Sequence, residues 1–151
     1  MELPAGFQLR TIYETELQVL LPVDHPLARQ ETVDLAELAP EPLIMYDTSP
    51  STANTHRVFA DRGLRPTIAA HMPQIILVQA LVGRGLGYGL VMSRPNWAPV
   101  SMEGLPVTMR PLVPPVSQTT MSGIWPEGSR LSPRAQALLD FMVETFRTRS
   151  G

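Results

Sequence analysis

Proline falls at nearly every point where a periodic segment of this chain starts or stops, and that punctuation limits the folds open to it. Sixteen of the 151 residues are proline, roughly twice the usual share of ~5%. A residue with φ fixed and no N–H is tolerated at strand ends and in the first helical turn, and excluded from element interiors. Pro50 follows Ser49 and Pro133 follows Ser132, so each pair reads as an N-cap and a first helical residue. Pro73 opens an apolar segment in the same way, and Pro22, Pro40 and Pro66 close segments. Only Pro111-Leu112-Val113-Pro114-Pro115 is dense enough to read as a crossover connection.

Between these marks the periodicity alternates. Strands are expected at Thr11–Leu21, Pro42–Tyr46, Thr67–His71, Tyr88–Met92, Val107–Leu112 and Thr119–Trp125. A short helical piece at Val33–Leu38 is entered through Thr32 or Asp34. A helix from Pro50 to about Arg62 ends on Gly63, which offers a left-handed closing position. In Pro73–Arg84 apolar residues cover almost every face, so that helix is expected to be largely buried. The last helix carries one stripe, Ala135, Leu138, Leu139, Met142 and Phe146. Strand, helix, strand, helix, strand in this order predicts right-handed crossovers and a parallel α/β sheet.

Composition removes several functional classes. Hydrophobic residues make up 44% and charged residues 17%, which excludes a disordered chain. All twelve cationic residues are arginine, unclustered, and the net charge is −2, so no basic stripe suits nucleic acid. Cysteine is absent, which removes disulfides and thiolate chemistry. Neither a secretory signal pattern nor an apolar run of membrane-spanning length is present, and a soluble, cytoplasmic protein is expected.

Catalytic motifs are weak. The glycines of Gly83-Arg84-Gly85-Leu86-Gly87-Tyr88-Gly89 miss the dinucleotide spacing, and they follow a helix and open a strand, the reverse of a nucleotide loop. His25, His56 and His71 have no metal-ligand spacing, so no metal and no cofactor are expected. Ser49, Ser51, His56 and Asp47 could be drawn as a hydrolytic set, but helix capping accounts for most of them. The chain does not read as an enzyme. The stronger feature is the helix start after Pro42–Tyr46. If Ser49 caps it, the N–H groups of Ser51 and Thr52 face outward at the positive end of the helix, beside the carboxyl end of a strand, where a small anion can bind. A purely structural cap explains the same residues equally well.

Six segments, in order, resemble one family. Leu17–Ala28 (LQVLLPVDHPLA), Val33–Ala39 with Glu41–Ile44, Phe59 with Gly63–Pro66, Ala80–Gly87, Arg110–Leu112, and Leu131–Pro133 with Phe141 are similar to the effector-binding domain of LysR-type transcriptional regulators. The resemblance implies an α/β, periplasmic-binding-protein-like (type 2) fold of two lobes with a small effector between them. This chain would hold mostly the second lobe, at 13–111, after a lead-in at 1–12, and a crossover and return to the first lobe at 112–151. No DNA-binding domain is expected within it. The intact regulator would be a homo-oligomer that reaches DNA through an N-terminal helix-turn-helix and controls transcription by allostery. By the same resemblance the effector, most naturally a carboxylate, would meet Tyr46, Ser49, Ser51, Thr52, Pro73 and Gln74. A transport-class solute-binding protein of the same fold, or a small non-catalytic α/β binding domain, are the alternatives. The last helix, short of sheet partners, is expected to leave its stripe partly exposed.

Overall fold

The computed structural model describes residues 5–95, 97–116 and 119–147. The chain divides into two compact units, one of Met1–Thr15 with Gln118–Gly151 and one of Glu16–Ser117.

In the first unit, β1 (Phe7–Thr15) pairs antiparallel with β8 (Thr119–Pro126), and α4 (Pro133–Arg147) packs on β1. The Ser132 hydroxyl accepts the Ala135 N–H at 3.2 Å, so the expected cap at this helix is present. Arg10 of β1 is ion-paired with Asp140 of α4, and the guanidinium's hydrogen bond holds the Asp140 carboxyl below the usual range. Leu139 is buried, whereas Leu138 and Phe141 are 58% and 66% exposed among the described residues. The stripe is thus only half covered, as a helix resting on two strands would leave it.

The second unit has the order β2 (Leu17–Pro22), β3 (Val33–Asp34), α1 (Leu35–Leu38), β4 (Pro42–Tyr46), α2 (Ser51–Ala60), β5 (Thr67–Met72), α3 (Ile75–Gly83), β6 (Gly89–Met92) and β7 (Val107–Val113). Its strands run β3-β7-β2-β6 in one sheet and β4-β5 in another. A parallel bridge between Leu43 and Tyr88 sets β4 beside the start of β6. Asp34 caps α1 through a reciprocal pair with Glu37, one of the two caps read from sequence. Gly63 closes the segment after α2 at φ +67°, with Leu64 N–H bonded back to Phe59.

Four expectations are corrected. The single strand at 11–21 is two, β1 and β2, because the pairing partner changes at Glu16 from β8 to β6 and β7. The sheet is mixed. β4 and β5 are parallel, as a helical crossover requires, but β6 and β7 both run antiparallel to the β2 strand between them. Pro111 and Leu112 belong to β7, not to a connection. Finally, α3 is not largely buried. Val78 and Val82 face β2, β4 and β6, while Ile76 and Leu77 are 40% and 37% exposed. A helix lying on one face of a sheet is covered on one side only, however apolar the rest.

The core of this unit is two clusters. One joins Val19, Leu21, Leu35, Leu38, Leu43, Met45, Phe59 and Tyr88, and the other Leu20, Ile44, Val78, Val82, Val91 and Val107. The Tyr88 hydroxyl is buried with no hydrogen-bond partner among the described residues. Burial, and then the charge of Glu41, raises its pKa above the usual tyrosine range. A raised folded-state pKa gives stability that is intact below the unfolded value of about 10 and is lost as pH climbs beyond it. Urea midpoints measured from pH 7 to 11 should therefore fall above about pH 10. Tyr88→Phe should flatten that fall and cost little at pH 7, since it removes a polar group with nothing to bond. An unchanged alkaline limb in the variant would refute the assignment.

Candidate functional site

The carboxyl ends of β4 and β6 meet the starts of α2 and α3 around one cavity of about 80 Å³, formed wholly within the Glu16–Ser117 unit. Its walls follow from local sequence. Tyr46 is the last residue of β4, and Ser51, Asn54 and Thr55 recur at i, i+3 and i+4 on one face of α2. Ile75 and Gln79 do the same on α3. Leu17 and the β6 residues Leu90, Val91 and Met92 supply an apolar side, and Arg94 and Trp97 close it from the segment after β6. The Trp97 backbone N–H donates to the Arg94 carbonyl at 3.3 Å.

Of the six residues expected at the site, Tyr46 and Ser51 line this cavity, and Ser49, Thr52, Pro73 and Gln74 do not. The helix start also differs from expectation. Pro50, at φ −94° and ψ 8°, is the residue before the helix, and no side chain caps it, so Ser49 is not the N-cap. Thr52 is already engaged, because its N–H bonds the Thr48 carbonyl at 3.0 Å and its hydroxyl donates to Asp47 Oδ1 at 2.9 Å. The other Asp47 oxygen lies 3.2 Å from His71 Nδ1. The Asp47 carboxylate thus lies beside the start of α2, held by the Thr52 hydroxyl and not by a helix N–H. Ser51 is the helix-start residue left facing the cavity. Pro73 and Gln74 are exposed ahead of α3, where the Gln74 carbonyl receives the first helical N–H groups.

Six polar or charged residues, Tyr46, Ser51, Asn54, Thr55, Gln79 and Arg94, face the cavity with Leu17, Ile75, Leu90, Val91, Met92 and Trp97. The helical spacing of Asn54, Thr55 and Gln79 was readable once Ser51 and Ile75 were placed. No sequence pattern marked Arg94 and Trp97, which reach the site from irregular backbone. Thr55 is buried and fixes the α2 face. Among the described residues the lining has no acidic residue, no cysteine and no histidine, and Arg94 is its single ionic residue. Such a lining can bind and orient a small polar molecule.

Comparison with known proteins agrees with this architecture. The family described as the LysR substrate binding domain matches residues 2–147, and the chain belongs to it. The transcriptional regulator TtuA of Agrobacterium vitis is 35% identical over 109 residues, covering 70% of this chain and 34% of TtuA. The crystal structure of HinK, a LysR family transcriptional regulator from Pseudomonas aeruginosa, superposes with a TM-score of 0.81 at 30% identity, covering 97% of this chain and 50% of HinK. The CcmR regulatory domain of Synechocystis PCC6803, in complex with 2-PG, shares the fold at 16% identity with a TM-score of 0.76, covering 97% of this chain and 71% of that one. The periplasmic-binding-protein-like α/β class expected from the sequence is therefore the fold of this chain. The chain spans about half the length, or less, of the curated regulators it matches. No helix among the described residues is long and apolar enough to cross a membrane.

Proposed function

We propose that this chain is the effector-sensing part of a LysR-type transcriptional regulator and that the cavity at the ends of β4 and β6 takes a small organic anion. The Glu16–Ser117 unit is then the second lobe of the effector domain, and β1, β8 and α4 are the portion of the first lobe that this chain contributes. In the intact regulator, an effector that binds one lobe arrangement better than another shifts the balance between them, and this shift reaches a DNA-binding region and changes transcription. The single observation that carries the reading is a mixed polar and apolar cavity at strand carboxyl ends, beside a helix start, in a chain of the substrate-binding family. Ligands of open α/β sheets bind in such crevices.

A thermal-shift screen of small carboxylates, with matched amides and amines, tests it. An acid at about 100 times its Kd adds roughly 2.7 kcal/mol of stability, which for a chain of this size is a rise of several degrees. Ser51→Ala, at the helix start facing the cavity, is expected to reduce that rise by half or more. Equal shifts in both proteins would remove Ser51 from the site, and no shift with any compound would sink the effector reading.

A further inference from the structure

On the reading of this cavity as the effector site, we infer that Arg94 is the charge partner of the effector, and that the site selects a short-chain aliphatic monocarboxylate. Three observations converge on it. The first is charge: Arg94 is the one ionic residue among the described residues that line the cavity. The ion pairs among the described residues, Arg10–Asp140, Arg57–Asp61, His71–Asp47 and Arg84–Glu103, leave it unengaged. A cation facing an otherwise neutral, partly apolar wall attracts an anion and repels an amine. A guanidinium also matches a carboxylate with two parallel N–H donors, which a neutral amide cannot reciprocate in the same way.

The second observation concerns the rival anchor. The positive end of α2 is the other place where a carboxylate could settle, but the Asp47 carboxylate lies beside it, accepting from the Thr52 hydroxyl at 2.9 Å. A second carboxylate at the same tip would face like charge, so the effector's negative end belongs at Arg94, which is exposed and therefore at the rim. Its tail then points inward, toward Leu17, Ile75 and Met92.

The third is size. The cavity, about 80 Å³, is roughly half of the ~150 Å³ apolar cavity that accepts benzene. A tail of about two to four carbon atoms fits, and an aromatic ring does not enter whole. The Ser51 hydroxyl and the Gln79 amide on the wall suit a hydroxyl or oxo group next to the carboxylate.

Calorimetric titration of the full chain with 2-hydroxybutyrate, 2-hydroxybutyramide and benzoate, using wild type, Arg94→Gln and Arg94→Lys, tests the inference. In the wild type the hydroxy acid should bind about tenfold or more tighter than its amide, as expected for a hydrogen bond to a charged group, and tighter than benzoate. Arg94→Gln should weaken the hydroxy acid about tenfold or more and so bring the acid-to-amide ratio close to one, and Arg94→Lys should keep part of the preference. Arg94 is exposed, so the melting temperatures of the free variants should match the wild type. An acid-to-amide ratio that survives Arg94→Gln would overturn the charge assignment, and stronger binding of benzoate would overturn the size class. Either result leaves an effector cavity in place. A failure of every compound in both this titration and the thermal-shift screen would instead sink the effector reading itself.

Discussion

Gly87→Ala is expected to destabilise the Glu16–Ser117 unit by about 3 kcal/mol or more, because a Cβ there has no room and its neighbour cannot give way. A Cβ built at Gly87 falls well inside contact distance of the Pro42 carbonyl oxygen and reaches Ile44 Cδ1 at 3.2 Å. That carbonyl is fixed, since it accepts the Tyr88 N–H at 2.9 Å, and the Ile44 N–H donates to the Tyr88 carbonyl at 2.8 Å. Relieving the clash means separating β4 from the start of β6. Those two bonds join the strands on whose carboxyl ends the cavity is built. The unit has its own reporter in Trp97, whereas Trp125 lies in the other unit. Urea unfolding followed by fluorescence in a Trp125→Phe background should show a large fall in midpoint. A midpoint within 0.3 M of the parent, on the order of half a kcal/mol at ordinary denaturant slopes, would show that β4 and β6 can part without cost.

The second large effect is expected at Phe59. Its ring is fully buried near the end of α2, in the cluster with Leu38, Leu43, Met45, Val58 and Tyr88. Truncating such a ring to alanine costs ~3–5 kcal/mol, the loss of transfer energy plus a cavity that neighbours fill only in part. Total stability is typically about 5–15 kcal/mol, so Phe59→Ala should lower the urea midpoint by roughly 2 M and loosen α2, which carries Ser51, Asn54 and Thr55. Phe141→Ala is the matched control. That ring is 66% exposed on α4, and its removal should stay within about 0.5 kcal/mol. Equal losses at the two positions would mean that burial in the described structure does not govern stability here.

Elements came through where a local rule acts alone. Asp34, one of the two starts open to its helix, Ser132 before Pro133, and Gly63 at positive φ each depend on a few neighbouring residues. The order of segments resembling the LysR family led to the family that the chain belongs to. At the site the local rule misled. Ser49-Pro50 has the form of a cap and a first helical residue, yet Asp47 draws in the Thr52 hydroxyl and the helix begins at Ser51 without a side-chain cap. The choice between Ser49 and Asp47 as the polar group at the helix tip is one of three-dimensional reach, which spacing does not encode.

By itself, then, the sequence determined which kind of segment most stretches form, the locally capped ends of several of them, and the α/β family they compose. Those properties follow from hydrogen-bonding and hydrophobic periods of two to four residues. Tertiary structure alone decided that β6 and β7 flank β2 in the opposite sense and that α3 is covered on one side. It alone brought Arg94 and Trp97 to the same wall as Ser51. The physical reason is that strand direction, the free face of a helix and the aim of a loop are fixed by contacts between residues dozens of positions apart, and no local period records such contacts.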